Sequence, residues 1–179
     1  GDEHKELVYI IRKQVDRLKG QIDKVLELAT IENRKNFMKK SVIDFKPLLL
    51  KLVSEYRELA NIENVEFDAK LEGDIYFLNC ESSHLENAIN SVLENSKKYA
   101  TIPAKIHFLS YIDNNDLIIK IKDNGIGIPF EEQKNLFGVE VKNTSLGTAN
   151  EQGSGLGLIL CKDFVEKNGG QIWVESEPN

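Results

Sequence analysis

The chain has 179 residues, 41% of them hydrophobic and 29% charged, and a formal net charge of −6. That length holds one substantial core, or one core with an accessory element. No apolar run approaches the roughly 20 residues of a membrane span, the start GDEHKE has no signal-peptide character, and lysines and arginines form no stripe that would favour a nucleic-acid backbone.

Residues 5–33 carry the first element. Val8, Ile11, Val15, Leu18, Ile22, Val25 and Ala29 follow steps of three and four, the seam of a coiled coil or helix bundle. Leu7, Ile10, Leu26, Leu28 and Ile31 widen that stripe beyond a two-stranded coil, towards a four-helix bundle. No later segment repeats the pattern, so the reading expects partner helices from a second copy or from sequence upstream.

After the polar connector ENRKNFMKK the texture becomes mixed α/β. SVIDF reads as a short strand, and PLLLKLVSEYRELA as an amphipathic helix with Pro47 in its first turn. VEFDAK alternates as a strand and IYFLN is a further candidate. Ser83 and Glu86 have capping-box spacing and open a helix to about Ala100, with Leu85, Ala88, Ile89, Val92, Leu93 and Ser96 on its inner face. AKIHFLSYI and DLIIKIKD, separated by DNND, predict a hairpin. A glycine-punctuated loop covers roughly 124–153. A helix follows from about Gly155 to Asn168, with Gly169 at its C′ position, and QIWVESE reads as a last strand. This order predicts one sheet with helices on a single face, an α+β two-layer sandwich. Cys80 and Cys161 lack metal-site neighbours and read as buried free thiols.

Three stretches invite chemistry. In NSVLENSKKYA, Ser91, Asn95, Lys98 and Tyr99 share one side of a helix. Asn95, at the border of the apolar face, either satisfies a nearby backbone group or offers its amide oxygen to Mg²⁺, which takes few protein ligands when phosphates supply the rest. In KDNGIGIP, Asp123 ends a strand and Gly125 and Gly127 permit positive φ or the close approach of a ligand to the main chain. Those residues make either a plain turn or a pocket whose carboxylate accepts from an exocyclic amine such as that of adenine. EQGSGLGL places Gly153, Gly155 and Gly157 at the entry to a helix, where backbone amides and the helix dipole favour an anion. Its spacing matches neither a Walker loop nor a dinucleotide fingerprint, and it reads as a surface loop, a closing lid, or both.

The order Asn95–Lys98–Tyr99, DNGIGIP, Leu136–Phe137 and GTANEQGSGLGL resembles the N box, first glycine box, F box and second glycine box of the GHKL (Bergerat) ATP-binding fold. Within that superfamily the chain resembles a sensor histidine kinase of two-component signalling along nearly all its length. The helix ending in LELATIEN is similar to the second helix of the dimerisation and histidine-phosphotransfer hairpin. GLGLILCKDFVEKNGGQIWVESEP resembles the corresponding box of hybrid-type sensors in particular.

The resemblance implies two parts, 1–36 from the hairpin and 37–179 as the ATP-binding catalytic domain. It implies ATP and Mg²⁺ as cofactors. Asn95 would hold the metal, Lys98 would contact phosphate, and Tyr99 would pack near the adenosine. Asp123 would accept from the adenine amine, with Gly125 and Gly127 shaping the base pocket. Gly153, Ser154, Gly155, Leu156 and Gly157 would form the phosphate turn and lid hinge, with Lys142 as an added phosphate contact. It further implies a homodimer through the hairpin, a response-regulator receiver as partner, and a cytoplasmic domain whose parent is anchored in the inner membrane.

Three departures qualify these roles. Ser91 stands where hydrolysing relatives place a water-activating glutamate, which favours transfer to histidine over hydrolysis. Glu140 takes the second aromatic position of the F box. No H box is present, and His4, His84 and His107 read as ordinary histidines, so the expectation is an excised piece, ending before its final strand and unable to autophosphorylate. The alternatives are a GHKL ATPase of the gyrase or mismatch-repair kind, and a degenerate nucleotide-sensing or dimerisation module.

Overall fold

The chain divides into two units, Gly1–Met38 and Lys39–Asn179, and the computed structural model describes residues 39–138 and 157–178. The helix expected over 5–33 lies outside the described residues. The described elements are β1 (Ser41–Asp44), α1 (Lys46–Glu63), β2 (Glu66–Leu71), β3 (Phe77–Cys80), α2 (Ser82–Tyr99), β4 (Lys105–Asp113), β5 (Asp116–Asp123), α3 (Phe130–Gln133) and α4 (Gly157–Lys167).

Helix α1 starts with Pro47 in its first turn and stops at Asn64, whose left-handed backbone lets its N–H donate to the Ala60 carbonyl. Its buried face is Leu49, Leu52, Val53, Tyr56 and Ala60, the spacing of an amphipathic helix. β4 and β5 form the expected hairpin. Asn114 and Asn115 both have positive φ, 48° and 75°, as a two-residue turn matching the strand twist requires.

β2 pairs in parallel with β4, and β4 antiparallel with β5. The registers put Phe67 beside Ile106, Ala69 beside Phe108 and Leu71 beside Ser110, with Ile121 and Ile119 on the far side of Phe108 and Ser110, so one face is apolar. The opposite face is charged, with Lys105 Nζ 2.8 Å from Glu66 and His107 3.7 Å from Asp68. α1 and α2 cover the apolar face, and Phe45, Leu49, Leu93, Ile106 and Phe108 lie at the centre of the core. The result is the expected two-layer α+β sandwich.

Three local expectations are corrected. The described strands make two ladders instead of one sheet, because β3 pairs with β1 while β2 joins β4. Asp44 reinforces that pairing, its Oδ1 accepting the N–H groups of both Lys46 and Tyr76. Residues 171–178 form no strand. Ser176 instead uses its Oγ to accept the Ile128 N–H and its carbonyl to accept from the Gln133 side chain, so the segment is held by the loop at 128–133. The capping box is also not formed. α2 begins at Ser82, the Ser83 hydroxyl donates to the Glu81 carboxylate, and the Glu81 N–H donates to Asn168 Oδ1.

Candidate functional site

On α2, Ser91, Asn95 and Lys98 occupy successive turns and are half-buried, followed by Tyr99 as the last helical residue. They stand apart from the fully buried stripe of His84, Ala88, Ile89, Leu93 and Ser96. The Lys98 ammonium lies 5.2 Å from the centroid of the Tyr99 ring, within cation–π range. Lys97 points elsewhere, into ion pairs with Glu63 at 2.9 Å and Glu94 at 3.7 Å that raise its pKa, the Glu63 hydrogen bond foremost. Helix periodicity therefore separates a structural lysine from the one at the site.

β5 delivers Asp123 to the same end of the sheet. Its carboxylate is exposed, and its Oδ1 accepts the Gly125 N–H at 2.8 Å, which fixes the orientation of the group. The Ile126 N–H donates to the Tyr99 carbonyl at 3.2 Å, and Ala100 pairs with Gly125 in an isolated bridge. The turn after β5 is thus sewn to the last residue of α2. A Cβ on Gly125 would lie 2.8 Å from the Tyr99 carbonyl oxygen and 2.6 Å from Asp123 Oδ1. Gly127 has φ +75°, and its Cβ would lie 2.0 Å from the Glu177 carbonyl oxygen. At both glycines the space a Cβ would need is taken by the protein's own backbone, where the sequence had suggested room for a ligand.

α4 runs antiparallel along α2. From one end to the other, Asn168 meets Glu81, the Phe164 ring stacks on His84 at 4.5 Å, Cys161 Sγ lies 3.4 Å from the Ala88 carbonyl, and Gly157 faces Ser91. A Cβ on Gly157 would sit 2.9 Å from Ser91 Oγ, so glycine lets the start of α4 approach one turn below Asn95. The positive end of the α4 dipole therefore opens beside the polar side of α2. The far end closes as anticipated at Gly169, with φ +88°; its N–H donates to the Glu166 carbonyl and that of Gly170 to Val165, a Schellman arrangement.

Of the expected site residues, Tyr99 is joined to the turn that holds Asp123, Gly125 and Gly127, Asn95 and Lys98 precede it on the same helix, and Gly157 lies near Ser91. Gly153, Ser154, Gly155 and Leu156 lie outside the described residues, as do Glu140 and Lys142. Leu136 and Phe137 are half-buried. Cys80 and Cys161 are free and buried, as read from the sequence. Burial pushes both thiols up, and a hydrogen bond with Ser91 pulls Cys161 partly back. Among the described residues no three His, Cys, Asp or Glu side chains gather as a metal site. A lone amide oxygen on Asn95 suits Mg²⁺ only where phosphates and water complete the shell.

Asn124 and Asn168 escaped notice in the sequence. Asn124 was hidden inside a common turn tripeptide and Asn168 beside a helix-ending glycine pair. Each reaches a partner far along the chain, 19 to 21 residues for Asn124 and 87 for Asn168, which no local pattern reveals.

α2 thus carries both fastenings, the turn after β5 at its last residue and the start of α4 beside Ser91. The chain belongs to the family of histidine kinase-, DNA gyrase B- and HSP90-like ATPases, whose model matches residues 80–179. Within it, the chain is 25% identical over 171 residues to the sensor protein kinase WalK of Staphylococcus haemolyticus, covering 93% of this chain and 28% of that protein. It spans well under a third of that relative's length. The catalytic domain of histidine kinase ThkA superposes with a TM-score of 0.67 at 20% identity, over 79% of this chain and 90% of that one. The mycobacterial sensor histidine kinase MprB gives 0.61 at 24% identity, over 76% and 85%. The relative and the two solved structures named here are all sensor histidine kinases.

Proposed function

We propose that residues 37–179 bind Mg·ATP and deliver its γ-phosphoryl group to a histidine on a helix of the dimerisation hairpin, for relay to an aspartate of a response-regulator receiver. Residues 1–36 would be the second helix of that hairpin, and the domain would work on the cytoplasmic side of a membrane-anchored parent. What supports the reading is the Tyr99–Ile126 backbone bond, which fastens the turn after Asp123 to the helix that carries Asn95 and Lys98.

Each residue then has a task its chemistry allows. The Asp123 carboxylate, held through Oδ1 by Gly125, offers its other oxygen to the adenine amine. Tyr99 flanks the adenosine, and Lys98 supplies positive charge to the phosphates. Asn95 would hold Mg²⁺, which when bound neutralises phosphate charge. Gly153, Ser154, Gly155, Leu156 and Gly157 would line the phosphate turn. With Ser91 packed against the start of α4, no carboxylate stands one turn before Asn95 to activate water, which favours transfer over hydrolysis. With none of His4, His84 and His107 taking the phospho-acceptor's place, this chain would bind nucleotide but not autophosphorylate.

The test is calorimetric binding of a non-hydrolysable ATP analogue, with and without Mg²⁺, to this chain and to Asp123→Asn. The expected result is magnesium-dependent binding that weakens at least about tenfold in the variant, as loss of a charged hydrogen-bond acceptor implies. Equal affinity in the two proteins would refute the assignment of Asp123.

A further inference from the structure

We infer that Asn124 is the positioning residue that couples the two halves of the nucleotide site, fixing the base-side turn at Asp123–Gly125 relative to the phosphate-side end of α2. The inference rests on the nucleotide reading above.

Five hydrogen bonds of 3.3 Å or less join Asn124 to the 101–105 connection that leaves α2. The Asn124 carbonyl accepts from the Thr101 N–H at 3.3 Å and the Thr101 hydroxyl at 2.7 Å. Its N–H donates to the Lys105 carbonyl at 3.2 Å. The side chain completes the set, Oδ1 accepting the Lys105 N–H at 2.9 Å and Nδ2 donating to the Pro103 carbonyl at 2.8 Å.

The side-chain geometry demands an amide. Oδ1 faces a donor while Nδ2 faces the Pro103 carbonyl and, at 3.5 Å, that of Thr101, so a carboxylate would set oxygen against both carbonyls, and an alanine would forfeit all three bonds. The backbone on either side leads straight to the site: Thr101 is two residues beyond Tyr99, while Asp123 and Gly125 flank Asn124. No ligand group needs to touch Asn124 for it to matter. It sets the distance across which a nucleotide must reach from Asp123 to Asn95 and Lys98.

A ligand that spans both halves should therefore sense Asn124 far more than one that occupies the base side alone. The experiment measures adenosine and a non-hydrolysable ATP analogue with Mg²⁺, by calorimetry, on the parent chain, Asn124→Ala and Thr101→Val. Thr101→Val removes only the hydroxyl bond to the Asn124 carbonyl and guards against loss of folding in the alanine variant. In Asn124→Ala the analogue should weaken about tenfold while adenosine changes less than about twofold, and Thr101→Val should show the same asymmetry at about twofold to threefold.

Equal losses for both ligands would mean a site that merely loosens as a whole, and would overturn the coupling role. Unchanged affinity for the analogue in both variants would overturn it as well. A parent chain that binds neither ligand would refute the nucleotide reading itself and the inference with it, an outcome the variants' behaviour cannot imitate.

Discussion

Gly125→Ala probes the junction between the turn and α2 most directly. The added methyl group would lie 2.8 Å from the Tyr99 carbonyl oxygen, 3.3 Å from its carbon and 2.6 Å from Asp123 Oδ1. The carboxylate can rotate away, at the expense of the Gly125 N–H bond that holds it at 2.8 Å. The carbonyl cannot, because it belongs to the last residue of a helix. Relief there requires the turn to move off α2, which stretches the Ile126–Tyr99 bond and opens the Ala100–Gly125 bridge. Two or three hydrogen bonds at about 1 kcal/mol each give a destabilisation of about 2–3 kcal/mol. A domain of this size, with roughly 5–15 kcal/mol to spare, still folds, so urea unfolding can measure the loss. Hydrogen exchange at the Ile126 amide should accelerate in parallel, and affinity for an ATP analogue should fall at least about tenfold as Asp123 loses its orientation. Unfolding within about 0.5 kcal/mol of the parent, with Ile126 protection unchanged, would refute the close contact on which the reasoning rests.

At the α2–α4 seam, Gly157→Ala alone should be neutral to mildly destabilising, since Ser91 Oγ must turn away. In a Ser91→Ala background the same change should turn stabilising, and a urea double-mutant cycle should return a coupling of about 0.5–1 kcal/mol. Asn168→Ala removes the acceptor for the Glu81 N–H at the start of α2 and should lower the unfolding free energy by about 1 kcal/mol, a loss on the scale of a helix cap. Tyr56 is driven up to about 12 by burial, with Glu94 and Glu63 adding to it. Its folded-state value exceeds the unfolded one, so its contribution is complete below pH 10 and is lost as pH rises towards about 12. Tyr56→Phe should flatten that alkaline decline in urea titrations, and an unchanged slope would discount the tyrosine.

Much of the fold was legible because its helices and strands obey their own periods. Ala88, Ile89, Leu93 and Ser96 of α2 are buried as the 3.6-residue repeat implies, while Leu85 and Val92 are half-buried and His84 takes a buried place; the β4–β5 turn follows from two asparagines that tolerate positive φ. Failures came where a distant group claimed a local one. The capping-box spacing at Ser83 and Glu86 was present, yet the Glu81 amide donates to Asn168 and the helix starts at Ser82. QIWVESE has a strand's composition, but Ser176 bonds to Ile128 and Gln133. The candidate residues on α2 and β5 could each be named from their spacing. What was not legible was the bond from the Ile126 N–H to the Tyr99 carbonyl, because a backbone carbonyl carries no sequence signature.

That last point bears on how such a site can work. α2 is the shared spine: the base-side turn fastens to its final carbonyl, the 101–105 connection fastens to Asn124, and α4 lies along it from Glu81 to Ser91. These fastenings are hydrogen bonds with at least one end on the backbone, and close contacts at small residues, not ion pairs between long charged side chains. Surface ion pairs contribute little and weaken with salt, whereas a helix end met at contact distance cannot drift without breaking bonds. A reaction that depends mainly on holding a phosphoryl group in line needs positional accuracy more than reactive side chains. The glycines meet that need from the other direction. At Gly125 and Gly157 the absent side chain lets two parts of the fold come closer than any other residue would permit, which sets the dimensions of the site before a ligand arrives.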